Sequence, residues 1–196
     1  MCGLSDRYTE ASAAIDAANS ADPTSVVVRG SAQPLAFVHG RIAVEWVHHL
    51  QRAPSELLLL AARAHHLRRW ELPRSEYPEG KAGYLRWKRD QRQRHARDIA
   101  ELLAPFGYSA DEIASVQRWV RRDDLATDAG SQTVEDAACL VFIETQLADV
   151  ATKLEHDHLI EVIRKTARKM SADALALAAR IPLEDHARAL LLEALA

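Results

Sequence analysis

Glycine is scarce in this chain, at seven residues in 196. That scarcity leaves long stretches with no backbone break, as helices require. Cysteine is scarcer, at two. Cys2 is read as a terminal residue and Cys139, inside an apolar run, as a small buried thiol, so a disulfide framework is excluded. No segment approaches roughly eighteen uninterrupted apolar residues, the span of a membrane helix. The opening MCGLSDRYTE has neither the apolar core of a signal peptide nor a glycine at position 2 for myristoylation. The expected location is cytoplasmic, with no membrane partner. An excess of one charge is also missing. With a net charge of −3, the molecule as a whole has no bias toward nucleic acid, so any anion site must be local.

Apolar residues make up 48% of the chain and charged residues 27%, the composition of an ordinary globular protein. Length predicts a single domain over 1–196. Ala/Leu-rich stretches at helical spacing predict an all-α, compact multi-helix bundle. Helices are expected at 5–19, 33–52, 54–69, 83–104, 109–121, 132–152, 156–169, 171–180 and 182–195. Ser109 to Glu112 and Thr133 to Asp136 read as capping boxes, Pro54 suits a first helical turn, and Ser171 and Pro182 open the last two helices. Val26–Val27–Val28 is the one strand-like run and is too short to make a sheet. Two prolines and two glycines forbid a helix through the connection 70–83. Residues 153–196 read as a helical packing extension and not as a site.

Several residues break otherwise apolar surfaces. The Leu57–Ala62 helix ends in His65–His66, two potential metal donors. His95 lies four residues before Ile99 on an inward stripe, and His39 precedes a periodic apolar set. Asp136 and Glu144 flank the apolar run Ala137–Ile143. They lie about 80° apart around a helix, close enough to face one cavity. A buried carboxylate there is costly unless paired or metal-bound. A cap for Asp136 and an arginine salt bridge for Glu144 are the structural alternatives.

A local basic cluster surrounds the connection. Arg68, Arg69 and Arg74 interleave with Trp70, Tyr77, Tyr84 and Trp87, and Lys88, Arg89 and Arg92 follow. Guanidinium forks suit phosphate and aromatic rings suit a stacked base. Arg121–Arg122 beside Asp123–Asp124 reads as a self-neutralised helix end.

The motifs Arg68–Arg69–Trp70, Pro73–Arg74 and Tyr77–Pro78, with Gly83–Tyr84–Leu85 and Glu135–Asp136, resemble an uncharacterised all-helical family, a domain of unknown function. More distantly, Phe37 to Leu147 resembles the HD-domain superfamily of metal-dependent phosphohydrolases. That resemblance implies an HD-like core over about 33–152. It makes His39 the first His, His65 the His of the His-Asp doublet, His95 an additional ligand, and Asp136 or Glu144 the distal acid. His66 stands where the doublet's Asp would be, so the expectation is one divalent ion (iron, manganese, zinc or magnesium) and not two. The function expected from these readings is hydrolysis of a small phosphorylated molecule or nucleotide. His66, His95, Asp136 and Glu144 would be at the reacting centre, with Arg69 and Arg74 neutralising phosphate charge. The alternatives are a non-catalytic nucleotide-, RNA- or anion-binding module and an iron-dependent oxygenase.

Overall fold

The computed structural model describes residues 4–195, and the expectation for Cys2 falls outside them. The chain is all-α apart from one small hairpin. Helix α1 (Asp6–Asn19) starts at Ser5, whose hydroxyl accepts from the Tyr8 N–H and satisfies one of the free donors of a first turn. Strands β1 (Ser25–Val28) and β2 (Ser31–Pro34) then pair antiparallel, with Val28 opposite Ser31. This corrects the expectation that Val26–Val28 makes no sheet. Arg29 and Gly30 both take positive φ, the two-residue turn that matches strand twist and folds the next four residues back as a partner.

Helices α2 (Leu35–Leu50) and α3 (Glu56–Arg63) follow, the second capped by Ser55. At Gly40 α2 runs against the end of α3 so closely that a Cβ would stand 2.5 Å from the Arg63 carbonyl oxygen. The helix expected over 54–69 ends at Arg63. Beyond it, the chain winds in three-residue steps, with N–H groups of Leu67 and Arg69 donating to the carbonyls of Ala64 and His66. Arg68 sits at φ 48°, and its N–H donates to the Asn19 side chain at 3.1 Å.

Helix α4 (Gly80–Leu103) begins three residues before its expected start, and α5 (Ala110–Arg121) carries the capping box foreseen at Ser109 and Glu112. Helix α6 (Ala129–Thr145) is capped by Asp128, which places Thr133 inside the helix, bonded to the Ala129 carbonyl. The capping box expected at Thr133 does not form. The expected 132–152 helix also breaks at Gln146, and Leu147–Ala151 forms the short α7. Helices α8 (His156–Ala167), α9 (Ala172–Ala178) and α10 (Asp185–Leu195) complete the chain.

Among the described residues the core divides into two hydrophobic clusters. One runs from Ile15 through Leu59, Leu60 and Ile99 to Val141, and the other joins Leu140 and Ile143 to Leu159, Ile163 and Leu190. Helix α6 feeds both, and Trp46 and Leu50 pack against both. Each fully buried Leu or Ile contributes about 1.5–3 kcal/mol, so α6 is held firmly between its neighbours. No helix among the described residues is long and apolar enough to cross a membrane.

Candidate functional site

Where the histidine turn, α4, α6 and the end of α8 meet, they line an open cavity of about 220 Å³. His65 and His66 enter it from the turn after α3, and His95 from the inward face of α4. The rings of His65 and His66 lie 4.1 Å apart and those of His66 and His95 lie 6.3 Å apart. The structure thus brings His66 and His95 to one cavity, as expected, but neither Asp136 nor Glu144 with them. His39 stands behind His66, at 5.7 Å ring to ring, and does not line the cavity.

The histidines are held in defined states. Nδ1–H of His65 donates to the Ala62 carbonyl at 2.8 Å, and Nδ1–H of His95 donates to the Leu67 carbonyl at 2.7 Å. A carbonyl can only accept, so Nδ1 carries the proton in each ring. Burial, then the charge of Arg69, pushes His95 down to about 3 and His39 down to about 4. His65 and His66 also lie well below the usual histidine range, chiefly through burial. All four are therefore neutral at pH 7. The Nε2 atoms of His65 and His95 are left as buried lone pairs, with no hydrogen-bond partner among the described residues.

The cavity is also strongly cationic. Arg69, Lys88, Arg92, Arg122 and Lys169 line it, and Glu135 is the one carboxylate among the described lining residues. Oε2 of Glu135 lies 3.2 Å from Arg92 Nη2 and 3.2 Å from Arg122 Nε, while Oε1 is 3.6 Å from Lys169 Nζ. Burial alone would raise the Glu135 carboxyl; Arg122, then Arg92 and Lys169, outweigh it and hold the group below its ordinary value. One carboxylate does not balance these cations. Burial, then Lys169 and Arg92, pushes Lys88 down to about 8, and burial takes the Arg122 guanidinium down to about 10. Arg122 Nε stands at ion-pair distance from Glu135 but out of line for a hydrogen bond, and is unpartnered in that sense among the described residues. Cys139 is buried in the same lining, its thiol pushed up to about 12 by burial and then by Glu135.

Several expected site residues lie elsewhere. Asp136, one position and about 100° round the helix from Glu135, points away from the cavity. Its Oδ1 accepts from the Ser171 N–H at 2.9 Å and from Gln132 Nε2 at 2.9 Å. Glu144 accepts from Arg29 at 2.8 Å and from the Trp46 indole at 2.9 Å, which is the salt-bridge alternative. Arg74 donates to the carbonyls of Tyr77 and Pro78, both at 2.8 Å, and so staples its own loop. Tyr77 donates to Asp90, and Arg68 offers its backbone N–H to Asn19. Trp70 lines a separate groove with Arg69 and Trp87, while Trp87 lies under the Arg69 guanidinium at 4.6 Å and donates to the Leu72 carbonyl. Of the seven residues expected to bind substrate, Arg69 and Tyr84 line the cavity.

Sequence reasoning missed Arg122, Glu135 and Lys169. Arg121 does pair with Asp123, at 2.7 Å, but Arg122 ends α5 at φ 59° and turns inward. Lys169 and Thr166 come from the segment read as a packing extension.

An HD-type metal centre requires carboxylate donors, and these residues do not fit one. The doublet's Asp is His66, Asp136 serves Ser171, Glu144 serves Arg29, and Glu135 is committed to three cations. No group of three or more His, Cys, Asp or Glu side chains that could hold a metal ion stands together among the described residues. Among the described residues, the 2-His-1-carboxylate set of an iron oxygenase does not assemble, for the same reason.

No curated protein and no solved structure matches the chain. A family model described as Domain of unknown function (DUF4202) matches residues 9–191, and the chain belongs to that family.

Proposed function

We propose that this protein binds a small phosphorylated molecule of the cytoplasm, with the phosphate on the cationic wall and the rest of the ligand toward Tyr84. One observation carries the reading: five cationic side chains line one cavity against a single carboxylate, among the described residues of a chain with net charge −3. Arginine and lysine held this way are short of anionic partners, and each charged hydrogen bond to phosphate contributes about 1.5–3 kcal/mol. The neutral histidines complement the wall. Their Nε2 lone pairs accept hydrogen bonds from a ligand hydroxyl or a bound water, and add no further positive charge. Titration calorimetry with inorganic phosphate and a nucleoside monophosphate tests this. Saturable binding that falls at least about tenfold in Arg92→Ala supports it; no heat with either probe overturns it.

A second reading, hydrolysis of the bound ester, rests on the unpartnered Nε2 atoms of His65 and His95. A pair of acceptors beside a phosphate orients a water by taking its hydrogens. Phosphate release from a panel of monoesters, with and without added divalent ions, separates this from binding alone.

A further inference from the structure

A second cavity, of about 410 Å³, adjoins the first and shares part of its lining. Lys88, Arg92, Arg122, Lys169 and Glu135 border both spaces, and Arg89 and Arg121 border the outer one alone. The outer cavity is also cation-rich: Asp123 is the one carboxylate added there among the described residues. Arg121 spends part of its charge on Asp123 at 2.7 Å, and Arg89 part of its own on Asp90 at 3.1 Å.

We infer that the site takes a ligand with two linked phosphoryl groups, one in the histidine-lined cavity and one in the outer cavity, with the four shared cations reaching both. The inference rests on the phosphate reading above and extends it to the ligand's class. Two observations carry it. The first is charge: a single phosphate dianion satisfies at most one side of a wall whose cations face two spaces, whereas a diphosphate reaches both. The unaligned Nε of the buried Arg122 guanidinium is a donor still to be used. The second is size. Small-molecule sites usually run about 300–1,000 Å³; the inner cavity alone falls short, and a ligand that reaches the histidines fills a site of that size only by extending into the outer one. Glu135 sits at their junction, where its carboxylate holds Arg92, Arg122 and Lys169 until a ligand arrives.

The experiment compares inorganic phosphate with pyrophosphate on the full chain by titration calorimetry, then repeats both with Arg89→Ala/Arg121→Ala, whose substitutions touch only the outer cavity. Pyrophosphate should bind about tenfold or more tighter than phosphate, and the double variant should lose most of that advantage with phosphate affinity kept within about twofold. Far-UV circular dichroism checks that the variant keeps its helices, and Arg89→Lys/Arg121→Lys, which retains the charges, should recover at least part of the gain. If phosphate binds and pyrophosphate binds no tighter, or if the outer variant leaves the difference intact, the inference is overturned while the phosphate reading stands. If neither anion binds, the phosphate reading itself fails and the inference goes with it.

Discussion

His39 and His66 meet through their Nδ1 atoms at 3.5 Å, and the direction of that hydrogen bond is set by a third residue, Thr145. The Thr145 hydroxyl donates to the Val141 carbonyl at 2.7 Å, so it can only accept from His39 Nε2, at 3.1 Å. His39 therefore carries its proton on Nε2 and offers a lone pair at Nδ1. His66 donates from Nδ1 and keeps its lone pair on Nε2. A chain from Val141 on α6 thus fixes the tautomer of His66. His39→Leu removes the acceptor and leaves the His66 donor unsatisfied. The expected loss is about 1–3 kcal/mol of unfolding free energy in urea. Nitrogen NMR of His66 should also change from one tautomer to a mixture.

The four neutral histidines make stability depend on pH with a definite sign. Their folded values lie below the ordinary value of about 6.5, so as pH falls the unfolded chain takes up protons first. The stabilisation is complete above about 6.5 and drains away below it, until His39 titrates at about 4 and His95 at about 3. Each histidine contributes a slope of up to about 1.4 kcal/mol per pH unit in that window. Urea midpoints from pH 7.5 to 5 should fall steeply, and His39→Leu should flatten the slope.

Glu135 and Glu144 should respond differently to loss of charge. Glu135→Gln leaves buried Arg122 without its counter-ion, and a loss of about 3–5 kcal/mol follows. Added phosphate should restore part of it, because an anion bound only by the folded state stabilises that state. Glu144→Gln faces Arg29, which is 58% exposed, so its effect should be about 1 kcal/mol or less, with no response to phosphate. Thermal melts of both variants, with and without phosphate, measure the contrast.

Lys88 gives phosphate binding an alkaline limb. Its value of about 8 in the free protein rises when an anion neutralises Lys169 and Arg92 beside it. Binding therefore needs the charged lysine. Once the phosphate is a dianion, affinity should fall above pH 8, with proton uptake visible as a buffer-dependent binding heat. Lys88→Met should abolish that limb.

Arg74→Ala should weaken the loop and not the wall. The guanidinium is tied to the Tyr77 and Pro78 carbonyls. Its removal should speed proteolysis between residues 70 and 80 and cost about 1–2 kcal/mol. An inner-site phosphate affinity within about twofold of the parent is expected, since Arg74 does not line the cavity.

The helices were legible because 3.6-residue periodicity and capping chemistry are local signals. Ser109 with Glu112 declared the start of α5 in four letters. The convergence of His66 and His95 was legible too, since each interrupts an inward apolar stripe. The acid was not. Asp136 and Glu135 are adjacent, and which one faces the cavity depends on the rotation of α6, which its packing between the two hydrophobic clusters sets and no local signal records. Arg122 was hidden because Arg121–Asp123 beside it does neutralise itself, as expected, while a left-handed residue redirects the next side chain. That conformation can be suspected in sequence at glycine or asparagine, and arginine carries no such mark. The partner strand for Val26–Val28 was missed for a similar reason: Arg29 is an unusual first residue for its turn.

The contact at Gly40 has a kinetic meaning. Arg63 carries the last residue of α3, its carbonyl lies against the backbone of α2, and the histidine turn starts one residue later. No side chain lies between the two backbones to change rotamer, so that end of the turn opens only if the helices separate. Amide hydrogens at Ala64 and Leu67 should then exchange on the timescale of global unfolding.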